Sequence, residues 1–240
     1  MSAFDTEDDD IDIDREFDRD DGDSDEAQNN EEAAADTDDV ERLNTAWRSE
    51  VACPELLPYE AELVDDIREY LESQKDLVEE QKREPGSEAD TVLFSAALYE
   101  SEIERIEFSL ASYLRARLAK IERHALHILS SAPRCARLSA REHEYAKAYI
   151  DMLEHHFTDV ALGQLPPGFR ELTTEGSGPH DEMVDRPRLD EFVFCKIAKT
   201  LGDVEVDEQG ERAFLSEGDV HVLRYRPMRT WVERGDVSLL

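Results

Sequence analysis

Residues 98–129, LYESEIERIEFSLASYLRARLAKIERHALHIL, decide the fold. Apolar side chains recur in this stretch every three or four residues, the spacing that places them on one face of an α-helix. The pattern predicts one long helix from about Ser87 to Ser130, which Pro133 ends because proline lacks the backbone N–H that continues a helix. A stripe of this length needs partner helices along it. The stripe is predicted to contain Leu98, Tyr99, Ile103, Ile106, Leu110, Tyr113, Leu114, Leu118, Ile121, Ala125, Ile128 and Leu129.

Three shorter helices are predicted around the long one. The first begins at Asp38 or Asp39, either of which can cap the free backbone amides of a first turn. The second ends at residues 84–87, and the fourth begins at Ser139 and Glu142, which form a capping box. Their predicted buried faces consist of Val40, Leu43, Trp47 and Val51 in the first helix, Leu63, Ile67, Tyr70, Leu71, Leu77 and Val78 in the second, and Tyr145, Ala146, Tyr149, Ile150, Leu153, Phe157, Val160 and Ala161 in the fourth.

The period of the apolar residues changes from 3.6 to 2 near the C-terminus. Residues 164–186 contain several prolines and glycines, which predicts an interdomain linker. After the linker, strand-like runs with glycines at their turns predict a small sheet. The sequence therefore predicts an α+β chain, with a helical domain of about four helices over residues 37–163 and a small β-rich domain over residues 187–240. The predicted strands are 192–197, 204–206, 213–215, 220–225 and 237–240, with a short helix around 230–234.

The negative charge of the chain is concentrated at its N-terminus. The chain has 60 acidic and 27 basic residues, a net charge of −33, and residues 1–40 alone contain 19 acidic residues and two arginines. Like charges repel one another, and few apolar groups are present to offset the entropy of ordering, so residues 1–36 are predicted to be a disordered acidic tail. Because nucleic-acid binders neutralise phosphates with Lys and Arg, the isolated chain is not expected to bind DNA directly.

Several classes of protein are disfavoured by the sequence. No apolar stretch approaches the roughly 20 residues that cross a bilayer, so no membrane segment is expected. The first residues lack the pattern of a signal peptide. The three cysteines, Cys53, Cys135 and Cys195, are far apart and odd in number, which disfavours a disulfide framework or a paired-cysteine zinc site and is typical of the cytosol or nucleus.

Motifs that carry catalysis are not found in the sequence. It contains no phosphate-binding loop, no dinucleotide fingerprint and no nucleophile elbow. His124 and His127 stand three residues apart on the long helix, and His155 and His156 follow Glu154, but neither pair is completed to the three or four ligands that zinc requires. We therefore expect no metal, no cofactor and no enzymatic activity.

Basic residues cluster on the long helix among glutamates. One interpretation is local ion pairs on a solvated helix, each of which stabilises by only tenths of a kcal/mol. The other is a seam between proteins, where arginine and tyrosine are favoured as anchors, and Tyr113 between two arginines fits that composition. The cluster consists of Arg105, Arg115, Arg117, Lys120 and Arg123.

The acidic tail contains one apolar patch. Ile11, Ile13 and Phe17 lie within residues 10–17, DIDIDREF. Such a segment can form a short helix when it binds a basic, apolar groove. The alternative is a solvated tail whose apolar residues have no specific role.

The motifs resemble the SLD-five subunit of the GINS DNA-replication complex. The resemblance is carried by residues 42–50, RLNTAWRSE, by residues 54–57, PELL, and above all by residues 102–122 of the long helix. It continues weakly to the C-terminus and covers roughly residues 38–240. Some fungal members carry an acidic and apolar N-terminal peptide that docks a trimeric replisome adaptor, and residues 10–14 resemble its start, although residues 15–17 depart from it.

The resemblance implies a noncatalytic subunit of a heterotetramer with three PSF-type paralogues, in the nucleus. The family acts in the initiation of DNA replication and in fork progression, within a helicase assembly with the MCM motor and the cell-division-cycle forty-five protein. Ile11, Ile13 and Phe17 would dock the adaptor. The implied subunit-interface residues are Trp47, Arg105, Tyr113, Leu114, Arg115, Arg117, Leu118, Lys120, Ile121, Val237, Leu239 and Leu240, with residues 105–122 in the core of the subunit. The alternative function is a stand-alone acidic interaction module, such as a histone chaperone or DNA mimic, which rests on the acidic tail.

Overall fold

A computed structural model of the protein describes residues 23–83, 89–166, 170, 172, 184–206, 210 and 212–240, with side chains from Asp38 onward. The chain divides into two units, Met1–Ala35 and Asp36–Leu240, and all contacts described below lie within the second unit. Ile11, Ile13 and Phe17 are outside the described residues.

The N-terminal half of the described chain is a bundle of helices. Helix α3 packs against α2 along its first part and against α5 along its last part. The predicted capping box of α5 is confirmed, because Ser139 Oγ accepts a hydrogen bond from the Glu142 amide and the Glu142 carboxylate accepts one from the Ser139 amide. The helices are α1 (Asp23–Ala52), α2 (Ala61–Arg83), α3 (Ala89–Leu129), α4 (Ala132–Cys135) and α5 (Ala140–Val160), followed by a 3-10 helix (Leu162–Gln164).

Two apolar clusters hold the bundle together. The smaller cluster joins the last part of α3 to α5 through Ile121, Ile128 and Ala146, with Leu56 from the segment after α1. The larger cluster joins α1, α2 and the first part of α3, and consists of Leu43, Leu63, Val64, Ile67, Leu71, Val78, Ala96, Ile103, Ile106, Leu110 and Tyr113. Both clusters contain residues of the stripe predicted from the 3.6-residue period.

The C-terminal part is a small antiparallel sheet with a separate hairpin. Its three-stranded sheet has the order β4-β1-β5, and β2 pairs with β3. The terminal strand β5 pairs with Cys195–Ile197 of β1, as its apolar character requires. These elements follow the helical bundle, so the predicted α+β fold class is confirmed. The elements are β1 (Phe192–Ile197), β2 (Gly202–Glu205), β3 (Arg212–Leu215), β4 (Val220–Arg224), α6 (Tyr225–Glu233) and β5 (Val237–Leu239).

Helix boundaries differ from the sequence prediction at three places. Helix α1 begins at Asp23 and not at Asp38 or Asp39, so residues 23–36, predicted to be disordered, are helical. Glu and Ala, which have high helix propensity, account for seven of these fourteen residues. Helix α6 begins at Tyr225, earlier than predicted. The short helix α4 was not predicted, because Pro133 was interpreted only as a stop, whereas proline is tolerated in the first turn of a new helix.

Part of the predicted buried stripe is exposed instead. Leu98 and Tyr99 of α3, and Phe157 and Val160 of α5, are exposed. Among the described residues of α5, the fully buried ones are Glu142, Ala146 and Ile150, all in its first half. A 3.6-residue pattern identifies an apolar face but not what covers it, so it cannot separate a face buried inside the chain from one left outside.

Helix α3 bends at His124, which has non-helical backbone angles of φ −116° and ψ 22°. The His124 side chain is buried, and its Nδ1 lies 3.1 Å from the carbonyl oxygen of Asp185, in the segment that leads into β1. The bend therefore coincides with a contact between the long helix and the start of the C-terminal part.

Candidate functional site

All five N–H donors of Arg117 are used inside the chain, and its side chain is 0% exposed. Nε and Nη2 bind the carboxylate of Glu142 at 2.8 and 3.1 Å. Nη1 donates to Glu50 Oε2 at 3.1 Å and to the carbonyl oxygen of Leu57 at 2.8 Å. Nη2 also donates to the carbonyl oxygen of Arg137 at 2.9 Å. The planar guanidinium fork suits this bidentate geometry, which an ammonium cannot reproduce.

Two tyrosine rings lie beside the Arg117 guanidinium. Its carbon is 5.2 Å from the ring centroid of Tyr59 and 5.7 Å from that of Tyr113, within the range of a cation–π interaction. Burial alone would lower the pKa of Arg117, but the hydrogen bonds to Glu142 and the charge of Glu50 outweigh it and raise the pKa. The cation is therefore fully charged in the interior.

Lys120 completes this group one turn along α3. Its Nζ donates to Glu50 Oε1 at 2.7 Å and to the carbonyl oxygen of Glu55 at 2.8 Å, and it also contacts the carbonyl oxygen of Glu50. Arg117, Lys120, Glu50 and Glu142 thus form a cluster of two cations and two carboxylates, called here the Arg117 cluster. It joins α1, α3 and α5 in one arrangement.

A second buried carboxylate connects the helices to the sheet. Glu55 accepts a hydrogen bond from the Tyr225 hydroxyl at 2.7 Å and from Arg229 Nη2 at 2.9 Å, both on α6. Arg137 Nη1 lies 3.1 Å from Glu55 Oε2, the oxygen that also accepts from Arg229 Nη2, and it donates to the carbonyl oxygen of Leu56. These contacts, called here the Glu55 junction, fix α6 against the segment between α1 and α2.

The apolar surroundings of the Glu55 junction raise the pKa of neighbouring groups. Cys53 belongs to the apolar core of the sheet region together with Tyr225 and Met228. Burial raises the pKa of the Cys53 thiol to about 11. Burial is also the main cause of the raised pKa of Tyr225, and the nearby Cys53 and Glu55 raise it further. Both groups are held in their neutral forms by the fold.

Neither cluster resembles a catalytic or metal site, since its charges are compensated and its donors are used within the chain. In the described ranges, no group of three or more His, Cys, Asp or Glu side chains is arranged to hold a metal ion. Burial and the charge of Arg134 lower the pKa of His127 to about 4. None of the helices in the described part of the chain has the length and apolar character needed to cross a membrane.

The predicted subunit-interface residues fall into two groups. Tyr113, Arg117, Ile121, Val237 and Leu239 are fully buried inside the chain, and the Lys120 ammonium is bound to Glu50. These side chains make their contacts within the subunit, and their place at a subunit interface stays a prediction. Those with partly or largely exposed side chains are Trp47, Arg105, Leu114, Arg115, Leu118 and Leu240.

The sequence interpretation missed Glu50, Glu55 and Arg137 as members of the clusters. A signal was present, because Tyr113, Arg117 and Ile121 stand four residues apart on one helix face. A charged residue on a buried face requires internal partners. Those partners are distant in sequence, at separations of 67 residues for Glu50 and 25 for Glu142, and the pattern of α3 does not identify them.

One side of α3 leaves large apolar groups exposed. Phe94, Leu98 and Phe108 are 66%, 57% and 60% exposed and recur at helical spacing with Arg105, away from the buried stripe. Phe108 contacts the half-buried Trp47 of α1 edge to face, with ring centroids 6.1 Å apart. Phe94, Leu98 and Phe108 are called here the outer face of α3. Large apolar side chains exposed along one face of a helix are typical of interaction sites.

The sheet has a comparable outer face. In β1 and β4, Phe192, Phe194, Val220 and Val222 point away from the core and are each more than half exposed, and Phe194 lies directly opposite Val222. The exposed Leu240 extends the same surface, because its amide donates to the carbonyl oxygen of Phe194. This surface is called here the outer face of the sheet.

Known proteins match most of this chain. Residues 187–240 match the family described as DNA replication complex GINS protein SLD5 C-terminus, and residues 68–161 match the GINS complex protein helical bundle domain. The DNA replication complex GINS protein SLD5 of Arabidopsis thaliana is 35% identical over 212 residues, 87% of this chain and 94% of the relative. Its counterparts in Homo sapiens and Schizosaccharomyces pombe are 30% and 29% identical over 84% of this chain, covering 88% and 92% of their own lengths.

Replacing Arg117 with alanine should strongly destabilise the chain. The change leaves the buried carboxylates of Glu50 and Glu142 short of a cation, and breaking a buried ion pair in this way costs about 3–5 kcal/mol. The free energy of unfolding is measured by urea denaturation. Arg115→Ala, two residues away at an exposed position, is the control and should change it by less than about 0.5 kcal/mol. Equal effects of the two substitutions would contradict the assignment.

The free energy of unfolding should fall as the pH rises from 9 to 11. Burial raises the pKa of Cys53 and of Cys195 from 9.0 to about 11, so in this range the unfolded chain loses thiol protons that the folded chain keeps. Each thiol contributes up to about 2–3 kcal/mol to this loss. In urea denaturation, Cys53→Ala/Cys195→Ala should show a shallower decline above pH 9 and an unchanged pH dependence between pH 7 and 8. A decline as steep as in the original chain would contradict the role of the thiols.

Proposed function

The chain belongs to the SLD5 family of GINS subunits, and we propose that it acts as a noncatalytic structural subunit of a heterotetrameric GINS complex with three PSF-type paralogues. Family membership agrees with the resemblance found in the motif of α3. It makes the chain a subunit of a DNA-replication complex. The proposal adds the tetramer, the nuclear location and the role in initiation and fork progression with the MCM motor and the cell-division-cycle forty-five protein.

The observation that carries the proposal is the pair of exposed apolar faces. The outer face of α3 and the outer face of the sheet both present aromatic side chains that a lone soluble chain gains nothing by exposing. Burial of such groups stabilises by roughly 25 cal/mol per Å² of apolar surface. Partner chains that cover these faces would supply that free energy on assembly.

A structural role also accounts for the buried clusters. The Arg117 cluster and the Glu55 junction use their charged groups on one another, within the subunit. Their effect is to hold the helices and the sheet in a fixed relation, which presents both outer faces to partners in one geometry. This favours a subunit that positions other chains over an enzyme.

We assign the interface contacts to the accessible members of the predicted set. Trp47 and Arg105 adjoin the outer face of α3, and Leu240 adjoins the outer face of the sheet. Arg117, Lys120, Tyr113 and their buried neighbours act indirectly, by positioning these faces. The proposed division is a helical domain over residues 37–163, a linker over 164–186 and a β-rich domain over 187–240, the last of which has the same bounds as the C-terminal family match.

Charged substitutions on the outer face of α3 should prevent assembly. Co-expression of Phe94→Asp/Leu98→Asp with the three paralogues places two carboxylates in the proposed apolar contact, where unpaired charges cost several kcal/mol. Native mass spectrometry of the purified complex measures the fraction of tetramer, which should fall at least about tenfold.

The control for this experiment adds the same charge elsewhere. Ala148→Asp/Thr158→Asp changes two exposed positions of α5 and should leave the tetramer fraction as it is. Both variants should keep their circular dichroism spectrum, because the substituted side chains are exposed. A tetramer formed equally well by both variants would exclude the outer face of α3 as an interface, and no tetramer with the unaltered chain would refute the proposed function.

We further propose that Ile11, Ile13 and Phe17 dock a trimeric replisome adaptor. Ile11→Ala/Ile13→Ala/Phe17→Ala should leave the tetramer intact and reduce capture of the adaptor by about tenfold, measured by pull-down with the assembled complex. Phe4→Ala is the control, since Phe4 is an apolar residue of the same acidic segment outside residues 10–17. If the triple variant captures the adaptor as well as the unaltered chain does, the segment acts only as a spacer. Deleting residues 1–36, the whole acidic tail, separates the two functions, because a GINS subunit should still assemble with its partners, whereas an acidic interaction module should lose its function.

A further inference from the structure

The two edge strands of the small sheet, β4 and β5, are covered to different extents. In β5, the amide of Leu240 donates to the carbonyl oxygen of Phe194 in β1. Because antiparallel strands bond one another at alternate residues, the backbone groups of Val237 and Leu239 point toward the outer edge of β5. Both residues are only 1% exposed, so the edge at β5 is covered by the chain itself.

The edge at β4 is open. The amide of Ile197 in β1 donates to the carbonyl oxygen of Asp219, just before β4. The same alternation directs the N–H and C=O groups of Val220 and Val222 away from β1. These two valines are 54% and 52% exposed, and within the described residues no strand pairs with this side of β4. An edge strand of this kind is a template to which another strand can add.

Strand β4 lacks features by which soluble proteins protect an edge. Residues 220–224, VHVLR, contain no proline and no lysine, and the register with β1 has no bulge over five consecutive pairs. An open edge that also carries exposed apolar side chains promotes aggregation of a lone chain. Its presence here favours a partner that covers the edge in the assembled complex.

The side chains beside the open edge are apolar and basic. On the outer face of the sheet, Phe194 lies directly opposite Val222. The outward side chains of β1, β4 and β5, all of which the structure describes, include two cations and no carboxylate. The cations are Lys196, opposite Val220, and Arg224, whose guanidinium carbon lies 5.0 Å from the ring centroid of Phe192. This local charge is opposite in sign to the net charge of −33 of the chain.

We propose that β4 receives an extended segment of a partner subunit, which adds to the open edge as a further strand and alternates apolar with acidic side chains. Main-chain hydrogen bonds to Val220 and Val222 would hold the segment in register. An apolar side chain beside Val222 would extend the outer face of the sheet, and a carboxylate beside Arg224 would form a cross-strand ion pair. The proposal rests on the proposed function, since the segment belongs to a partner subunit.

The open edge and the charges select this occupant. A helix laid on the outer face of the sheet would contact its apolar side chains but leave the edge-directed backbone groups of β4 to water. An extended segment uses both the side chains and the backbone groups. The two cations disfavour a basic segment, because like charges placed opposite one another across strands are destabilising.

Val222→Pro tests the main-chain hydrogen bonds. Proline removes the Val222 N–H, which points away from β1, and proline is tolerated where the N–H of an edge strand faces solvent. The variant is co-expressed with the three paralogues, and the tetramer is diluted and counted by mass photometry to give its dissociation constant, which should rise at least about tenfold. Val222→Thr is the matched control, because it alters the same side chain but keeps the N–H, and it should raise the dissociation constant less than about threefold.

Amide hydrogen exchange of the unaltered chain gives a readout that does not depend on how well the proline variant folds. The amides of Val220 and Val222 should exchange at least about tenfold more slowly in the tetramer than in the isolated chain, because a paired strand protects them. Mass spectrometry of a peptide that covers residues 219–225 measures this exchange. Equal exchange in the two states would overturn the proposal.

A charge reversal tests the acidic character of the segment. Lys196→Glu places a carboxylate on the outer face of the sheet and should raise the dissociation constant of the tetramer about threefold or more, with the increase reduced at high salt. Lys147→Glu makes the same change at an exposed position of α5 and should leave the dissociation constant unchanged. A tighter tetramer with Lys196→Glu would mean a basic occupant and would overturn the proposal.

The remaining outcomes separate this proposal from the proposed function. If the unaltered chain forms a tetramer and Val222→Pro has the same dissociation constant, the strand proposal is overturned and the proposed function stands. An equal loss of affinity in Val222→Pro and Val222→Thr would also overturn it, because the contact would then involve the side chain alone. A dimer of the isolated chain that Val222→Pro abolishes would make a second copy the occupant and would overturn it too. If the unaltered chain forms no tetramer, the proposed function itself fails.

Discussion

The structure depends on one buried cation, the guanidinium of Arg117. A charge removed from water must be compensated where it lies, and Arg117 meets this requirement with two carboxylates and two backbone carbonyls. Those acceptors belong to α1, to the segment before α2, and to α5 with the turn that precedes it. Few relative positions of these elements satisfy all five donors at once. The cluster therefore contributes less to the net free energy of folding than to selecting one arrangement of these elements. The apolar packing around it supplies most of the stability.

The Glu55 junction applies the same constraint between the two parts of the chain. The sheet region is small, and it obtains part of its apolar core from Cys53, which follows α1. Glu55, two residues later, binds Tyr225 and Arg229 of α6. Apolar burial and charge compensation arise from the same short segment, so a shift of the sheet region would break both. The position of the sheet region relative to the helices is therefore fixed by these contacts, and not by the linker alone.

The sequence predicted what local periodicity determines and missed what depends on distant contacts. The extent of α3, the capping box at Ser139 and strand β1 follow from spacing within a few residues, and each was predicted nearly at its observed position. The partners of Arg117 were missed, because no local rule joins α3 to a glutamate 67 residues away. Leu98 was assigned to the buried stripe, because a 3.6-residue period cannot distinguish a face covered by the same chain from an exposed one. The early start of α1 was missed because acidic composition was weighed above helix propensity.

The distribution of satisfied and unsatisfied groups connects the fold to assembly. Inside the described part of the chain, charged groups are compensated, as in the Arg117 cluster. At its surface, aromatic residues such as Phe94 and Phe194 remain exposed. A chain selected to be stable alone would gain by exchanging these features. A chain that is completed by partners keeps them, because contact with those partners supplies the missing burial. The rigid interior then serves to hold the incomplete surfaces at fixed positions, which is the physical requirement for a subunit that organises an assembly.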